Sequence, residues 1–185
     1  LFPAAWTEAM VAKANRLEAD LIVITGDFID GSLDHRRDDI EPLRGLRAHD
    51  GILAISGNHE YFFDAEGFLQ HFEAMDMRLL SNSHAVIERG HAKLVVAGIP
   101  DRSAGRNGFA APDLRVALAD APDTAPVILL DHQPMQARQA AEAGVALQLS
   151  GHTHGGMIRG MDRLLARDNN GFVSGLYQVG PMQLY

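Results

Sequence analysis

Leu21-Ile22-Val23-Ile24-Thr25-Gly26-Asp27 is a short run of branched side chains that stops at a glycine and a carboxylate. The same grammar returns three times. Residues 52–56 are followed by Gly57-Asn58-His59-Glu60, residues 127–130 by Asp131-His132, and residues 145–149 by Ser150-Gly151-His152-Thr153-His154-Gly155-Gly156. A fifth apolar run covers 94–97. Runs of this length, rich in Val, Ile and Leu, predict strands. Most are apolar on both faces, as strands buried inside a layered α/β sheet must be.

Between the strands, residues 3–19, 38–48, 65–75, 112–119 and 135–143 carry helical patterning. Pro3, Pro112 and Pro134 sit near the starts of three of them, where a missing N–H costs little. Residues 84–88 and 93–97, joined through Arg89-Gly90-His91, predict a hairpin. Residues 101–108 are polar and glycine-rich and predict a loop, and the tail 172–185 has room for one or two strands. Alternating strand and helix predicts an α/β class with helices packed on sheet. No repeat or low-complexity linker divides the 185 residues, so 1–185 is expected to be a single domain, or part of one.

Composition narrows the chemistry. The net charge is −8, which removes the electrostatic case for nucleic-acid binding. There is no uncharged apolar run near the roughly 18 residues of a membrane span. The absence of Cys excludes disulfides, a thiol nucleophile and thiolate metal sites. No Gly-x-Ser-x-Gly elbow and no phosphate-binding P-loop occur, and His152-Thr153-His154 lacks the continuation of a metallo-β-lactamase string.

What remains is positional. In four of the five runs, metal-capable side chains follow the carboxyl end, which is where open α/β sheets build their sites. Carboxylate, amide oxygen and imidazole suit zinc, manganese or iron. Asp27 has two oxygens and can bridge two ions. His152 and His154 are two apart, so an extended segment would point both to one side, each toward one of two ions about 3.5–4 Å apart. Taken singly, each cluster has an ordinary reading as a turn or a satisfied histidine; four at four strand ends do not. His35, His49, His71, His84 and His91 have charged, helical or hairpin surroundings and are expected to be structural or solvated.

The series Gly26-Asp27, Gly57-Asn58-His59-Glu60, Asp131-His132 and Gly151-His152-Thr153-His154 resembles the calcineurin-like metallophosphoesterases, in the right order, from about Leu21 to Gly156. The longer strings, Gly57 through Phe62 among them, are similar to a bacterial branch that includes membrane-associated phosphodiesterases. The resemblance implies a four-layer α/β/β/α sandwich and hydrolysis of a phosphate ester, more often a diester, at a dinuclear centre through a metal-bound hydroxide. It implies two divalent ions, manganese, zinc or iron. Asp27 would bridge them, with Asn58, His132 and His152 on one and His154 on the other. His59 would act beside the scissile phosphate, with Glu60 orienting it.

One family element has no counterpart: the chain contains no Asp-x-His. The resemblance places that motif one strand–helix unit before Gly26-Asp27, so the expectation is a chain cut at both ends, without its first strand and some of its last. The second ion would then have only Asp27 and His154. Alternatives follow: a non-catalytic scaffold of the same fold, or an inactive fragment with one complete site. The expected substrate is a phosphorylated small molecule or lipid-linked group. Tyr61, Phe62 and Phe63 are either an apolar platform for it or plain core, and Arg102 and Arg106 are either phosphate contacts or solvated charges. The resemblance favours a cytoplasmic or peripheral membrane setting.

Overall fold

The computed structural model describes residues 2–156, 166–167 and 169–185. Helix α1 (Ala4–Asn15) leads to β1 (Ile22–Ile24). Helix α2 (Leu33–Ile40) runs into a 3-10 turn, Glu41–Gly45, before β2 (Ile52–Ala54). Helix α3 (Ala65–Glu73) precedes β3 (Met77–Leu79), and β4 (Ser83–Arg89) and β5 (Ala92–Gly98) form the expected hairpin. Then come α4 (Leu114–Ala117), β6 (Val127–Leu130), α5 (Ala137–Glu142) and β7 (Leu147–Leu149), and the tail supplies β8 (Tyr177–Val179) and β9 (Met182–Leu184).

Two sheets result. The first is parallel, in the order β1-β2-β3, with Ile22 opposite Ile52 and Ile52 opposite Met77. The second is mixed, in the order β4-β5-β6-β7-β9-β8, antiparallel at both ends and parallel through its middle.

Strand alternation stacks them. In β1, Ile22 and Ile24 pack with Phe68, Phe72 and Leu43 under the first helices, while Val23 packs with Ile55, Val96 and Leu130 between the sheets. In β6, Ile128 and Leu130 face that same inter-sheet core, and Val127 and Leu129 turn to Leu114, Ala137 and Ala140. β1 and β6 therefore cover both faces, one with helices and one with the other sheet. The layers are helix, sheet, sheet, helix, the α/β/β/α stack the motif series implies. Burying a side chain such as Phe68 or Phe72 fully contributes roughly 1.5–3 kcal/mol each.

Local chemistry explains the departures from sequence. The helix expected over 38–48 starts earlier and tightens at Glu41, because Pro42 has no N–H for an α-helical interior. The helix expected over 112–119 is a single turn, capped by the Asp113 carboxylate, which accepts from Arg115 and Val116 N–H. Strand β3 is too short and too interrupted by Arg78 to show a strand pattern. No helix among the described residues is long and apolar enough to cross a membrane.

Candidate metal centre

The loops after β1, β2, β6 and β7 meet at one end of the sheets. The first two lie backbone against backbone. A Cβ on Gly26 would run into Gly57, and a Cβ on Gly57 would run into the Asp27 carboxylate. Both positions therefore require glycine. Gly26 (φ 91°) and Asp27 (φ 56°) are left-handed, and the turn carries Asp27 to where the loops converge. For a non-glycine residue this conformation is uncommon and costs energy that the surroundings must supply.

Glu60 supplies much of it. The carboxylate is fully buried and accepts three backbone N–H groups: Asp27 (3.0 Å) and Gly57 (2.6 Å) on Oε2, and Phe28 (2.8 Å) on Oε1. Burial, followed by the Asp27 charge, pushes the Glu60 carboxyl above its ordinary value against those bonds. The expected orientation of His59 by Glu60 is not the arrangement observed. Glu60 serves the backbone of both loops, and His59 Nδ1 instead lies 3.3 Å from Asp30 Oδ1. His59 does touch the cluster through its backbone, whose N–H donates to Asp27 Oδ1 at 3.0 Å.

The cluster itself is Asp27, Asn58, His132 and His152. His132 is buried, and its Nδ1 donates to the Thr25 carbonyl at 2.7 Å, which fixes the tautomer. In the neutral ring, Nε2 then carries a lone pair. It lies 3.1 Å from Asp27 Oδ2 and 3.1 Å from Asn58 Oδ1, and that amide oxygen also lies 2.8 Å from His152 Nδ1. Electron pairs of Asp27, Asn58 and the neutral His132 ring are thus aimed at one another. Such a set is stable only around a positive charge, either a proton on His132 or a cation.

The electrostatics agree. Burial alone would lower His132, but the Asp27 carboxylate and the Thr25 carbonyl outweigh it and raise it. Burial would raise Asp27, but His132 outweighs it and holds the carboxyl low. Burial, then His132, holds His152 low and therefore neutral, as a ligand must be. Ligand atoms of Asp27, His132 and His152 all lie within 4.8 Å of one another. The residues fit a divalent ion, with Asn58 as a fourth donor.

His154 is not in this set. His152 (φ 68°) and His154 (φ 50°) are both left-handed, so the extended segment expected from sequence, with both rings on one side, does not form. His154 is exposed and borders two cavities that also reach Asp27. One, of about 360 Å³, includes His132 and His152; the other, of about 630 Å³, runs along β1 and includes His59. Asp27 stands between them.

Two carboxylates near the centre, Asp101 and Asp131, have no role of their own in the sequence expectations. Asp101 is 1% exposed; it accepts from Ser103 N–H at 2.8 Å and from Gln133 Nε2 at 2.7 Å. It lies three residues past the end of β5, the same offset as Asp27 from β1 and His152 from β7, so the rule that located the other sites applies to the fifth run as well. Asp131 is buried beside it and is pushed up to about 7 by burial, then by the Asp101 charge. Of the remaining histidines, His84 Nδ1 donates to Ala117 O at 2.9 Å and His35 Nδ1 lies 2.7 Å from Ser32 Oγ, consistent with structural roles. Tyr61 is buried, its hydroxyl 2.7 Å from Ser56 Oγ, whereas Phe62 and Phe63 are 59% and 56% exposed.

Comparison with known proteins follows the same residues. A metallophosphoesterase of Helicobacter pylori with no characterised function is 33% identical over 182 residues, covering 97% of this chain and 48% of that protein. A Danio rerio transmembrane protein with a metallophosphoesterase domain is 35% identical over 180 residues, covering 93% of this chain and 41% of its own. The chain thus spans about half the length of these relatives. Among solved structures, the Haemophilus influenzae NAD nucleotidase superposes with a TM-score of 0.65 at 19% identity, over 97% of this chain and 43% of that one, a likeness of fold. Residues 4–156 match the calcineurin-like phosphoesterase family, and with the ligand cluster assembled at its strand ends this chain belongs to that family of metal-dependent phosphoester hydrolases.

Proposed function

We propose that this chain is the hydrolytic unit of a phosphodiesterase with a dinuclear centre, acting on a phosphorylated small molecule or a lipid-linked phosphate. One observation carries the reading: Asn58 Oδ1 lies between His132 Nε2 and His152 Nδ1, with Asp27 Oδ2 on the same His132 nitrogen. Asp27, Asn58, His132 and His152 would hold one ion, and Asp27 with His154 would contribute to a second. Manganese, zinc or iron suits these donors. Such ions supply Lewis acidity at the phosphoryl oxygens and make water a stronger acid.

The reaction adds water across a P–O bond. A new bond forms from the water oxygen to phosphorus, the bond to the leaving oxygen breaks, and that oxygen takes up a proton. His59 would handle that proton. Its Nδ1 faces Asp30, which leaves Nε2 for a substrate oxygen. Phe62 lies against the His59 ring, with centroids 5.1 Å apart, and with Phe63 presents exposed apolar surface beside the centre. That surface supports a substrate with an apolar or lipid portion and a peripheral membrane setting.

The exposure of His154 favours a second reading, a single-ion centre without turnover. Elemental analysis and hydrolysis of bis(p-nitrophenyl) phosphate against p-nitrophenyl phosphate decide between the two. The dinuclear reading expects two ions per chain and faster diester cleavage. His59→Gln should then lower turnover roughly 100-fold or more with metal content unchanged. Loss of metal in that variant would place His59 among the ligands instead.

A further inference from the structure

A polar cavity of about 420 Å³ opens on the outer side of His152, and its wall has a different composition from the rest of the centre. Among the described residues it holds Arg102, Arg167, Gln133, Asn169 and Asn170, and no carboxylate. Among the described residues neither guanidinium is in an ion pair. Where arginines do meet carboxylates in this chain they pair with them, Arg36 with Asp39, Arg44 with Glu41, and Arg89 with Asp20 and Asp50. In a chain of net charge −8, two guanidiniums outside any described ion pair stand together on one cavity wall.

The wall is built from within. Asp101, almost fully buried, holds Ser103 N–H on one oxygen and Gln133 Nε2 on the other, which fixes the residues on either side of Arg102 and ties them to the β6 loop. Arg102 Nη1 rests 3.0 Å from Met135 Sδ, and Asn170 Nδ2 donates to Met135 O at 2.7 Å. Gln133 and Asn170 each use one amide hydrogen in these bonds and keep a second. Guanidinium forks with spare amide hydrogens are donors for oxyanions.

We propose that this cavity is an anion subsite that takes a second negatively charged group of the substrate, next to the ester being cleaved. The inference rests on the phosphoesterase reading and narrows it to phosphate esters that carry another phosphate or carboxylate. A soluble nucleotide-type bisphosphate and an anionic lipid headgroup share that chemistry.

Phosphate binding to metal-free chain tests the subsite apart from catalysis. Inorganic phosphate should move the Arg102 and Arg167 Nε–Hε NMR signals saturably, and the double variant Arg102→Ala/Arg167→Ala should weaken binding at least about tenfold. Unmoved signals, or a double variant that binds as tightly, overturn the proposal. Repeating the titration with thymidine 3′,5′-bisphosphate and with phosphatidylcholine vesicles containing phosphatidic acid separates the sources. Response to the bisphosphate supports a soluble ester, response to the vesicles supports a lipid headgroup, and response to neither overturns the subsite. If the metal-loaded parent cleaves no ester while phosphate still binds here, the phosphoesterase reading fails and the subsite stands.

Discussion

His152 is half-buried, with its Nδ1 2.8 Å from Asn58 Oδ1, while His154, two residues on, is exposed and outside the ligand set. Both sit on the same left-handed turn, yet the chain surrounds them differently. Asp27, Asn58 and His132, from three other loops, close around the first. Beside the second, the described residues offer Asp27, His59 and Asp30, and two of those are already engaged with each other. The ring and the left-handed turn are the same at both positions, so what separates them is how many loops converge on each.

The largest test breaks both halves at once. Asp27→Asn should abolish tight metal binding, an effect beyond the roughly 100-fold at which outer partners of metal ligands usually stop. Calorimetry with manganese or zinc reads it, and unchanged affinity would remove Asp27 from the centre. Next, His152→Ala should weaken the tighter ion strongly, while His154→Ala should leave that ion in place and change only the weaker one. Equal losses would mean the two histidines serve one ion.

A smaller effect isolates the scaffold. In Glu60→Gln the side chain keeps one good acceptor and turns an amide N–H toward a backbone N–H. The metal-free protein should lose about 1–3 kcal/mol of stability in urea denaturation. A neutral result would mean the Gly26 and Gly57 loops hold their strained turns without Glu60.

The smallest test is a baseline for histidine titration away from the centre. Burial, then the Arg37 charge, holds His71 below the ordinary 6.5. The fold resists a proton that the unfolded chain accepts. Stability from this group is therefore full above 6.5 and is lost as pH falls through that range. His71→Gln should flatten that part of the metal-free pH–stability curve; an unchanged slope would assign it to other groups.

The strand ends were legible because a buried strand and a ligand at its carboxyl end are both written in short, local strings. The layer order was legible for the same reason: alternate residues of β1 and β6 are all apolar, so both faces had to be covered. Side-chain geometry was less so. The i, i+2 spacing of His152 and His154 suggests a common side only if the backbone is extended, and the glycines around them allowed left-handed turns instead. Glu60 next to His59 suggests a pair, but a buried carboxylate goes where unsatisfied N–H groups are, and those belong to loops some 30 residues away in sequence. Asp101 hid because it opens a polar, glycine-rich stretch that reads as a plain loop, with no glycine or histidine directly beside it to mark a site.

The bond from His132 to the Thr25 carbonyl carries one more consequence. Thr25 ends the run that begins the first sheet, so the electron density on His132 Nε2 depends on where that strand stops. Any ligand, partner or mutation that shifts the strand by a fraction of its hydrogen-bond length also retunes the basicity of an imidazole in the other sheet. A metal titration of this protein is therefore also a gauge of how the two sheets sit against each other.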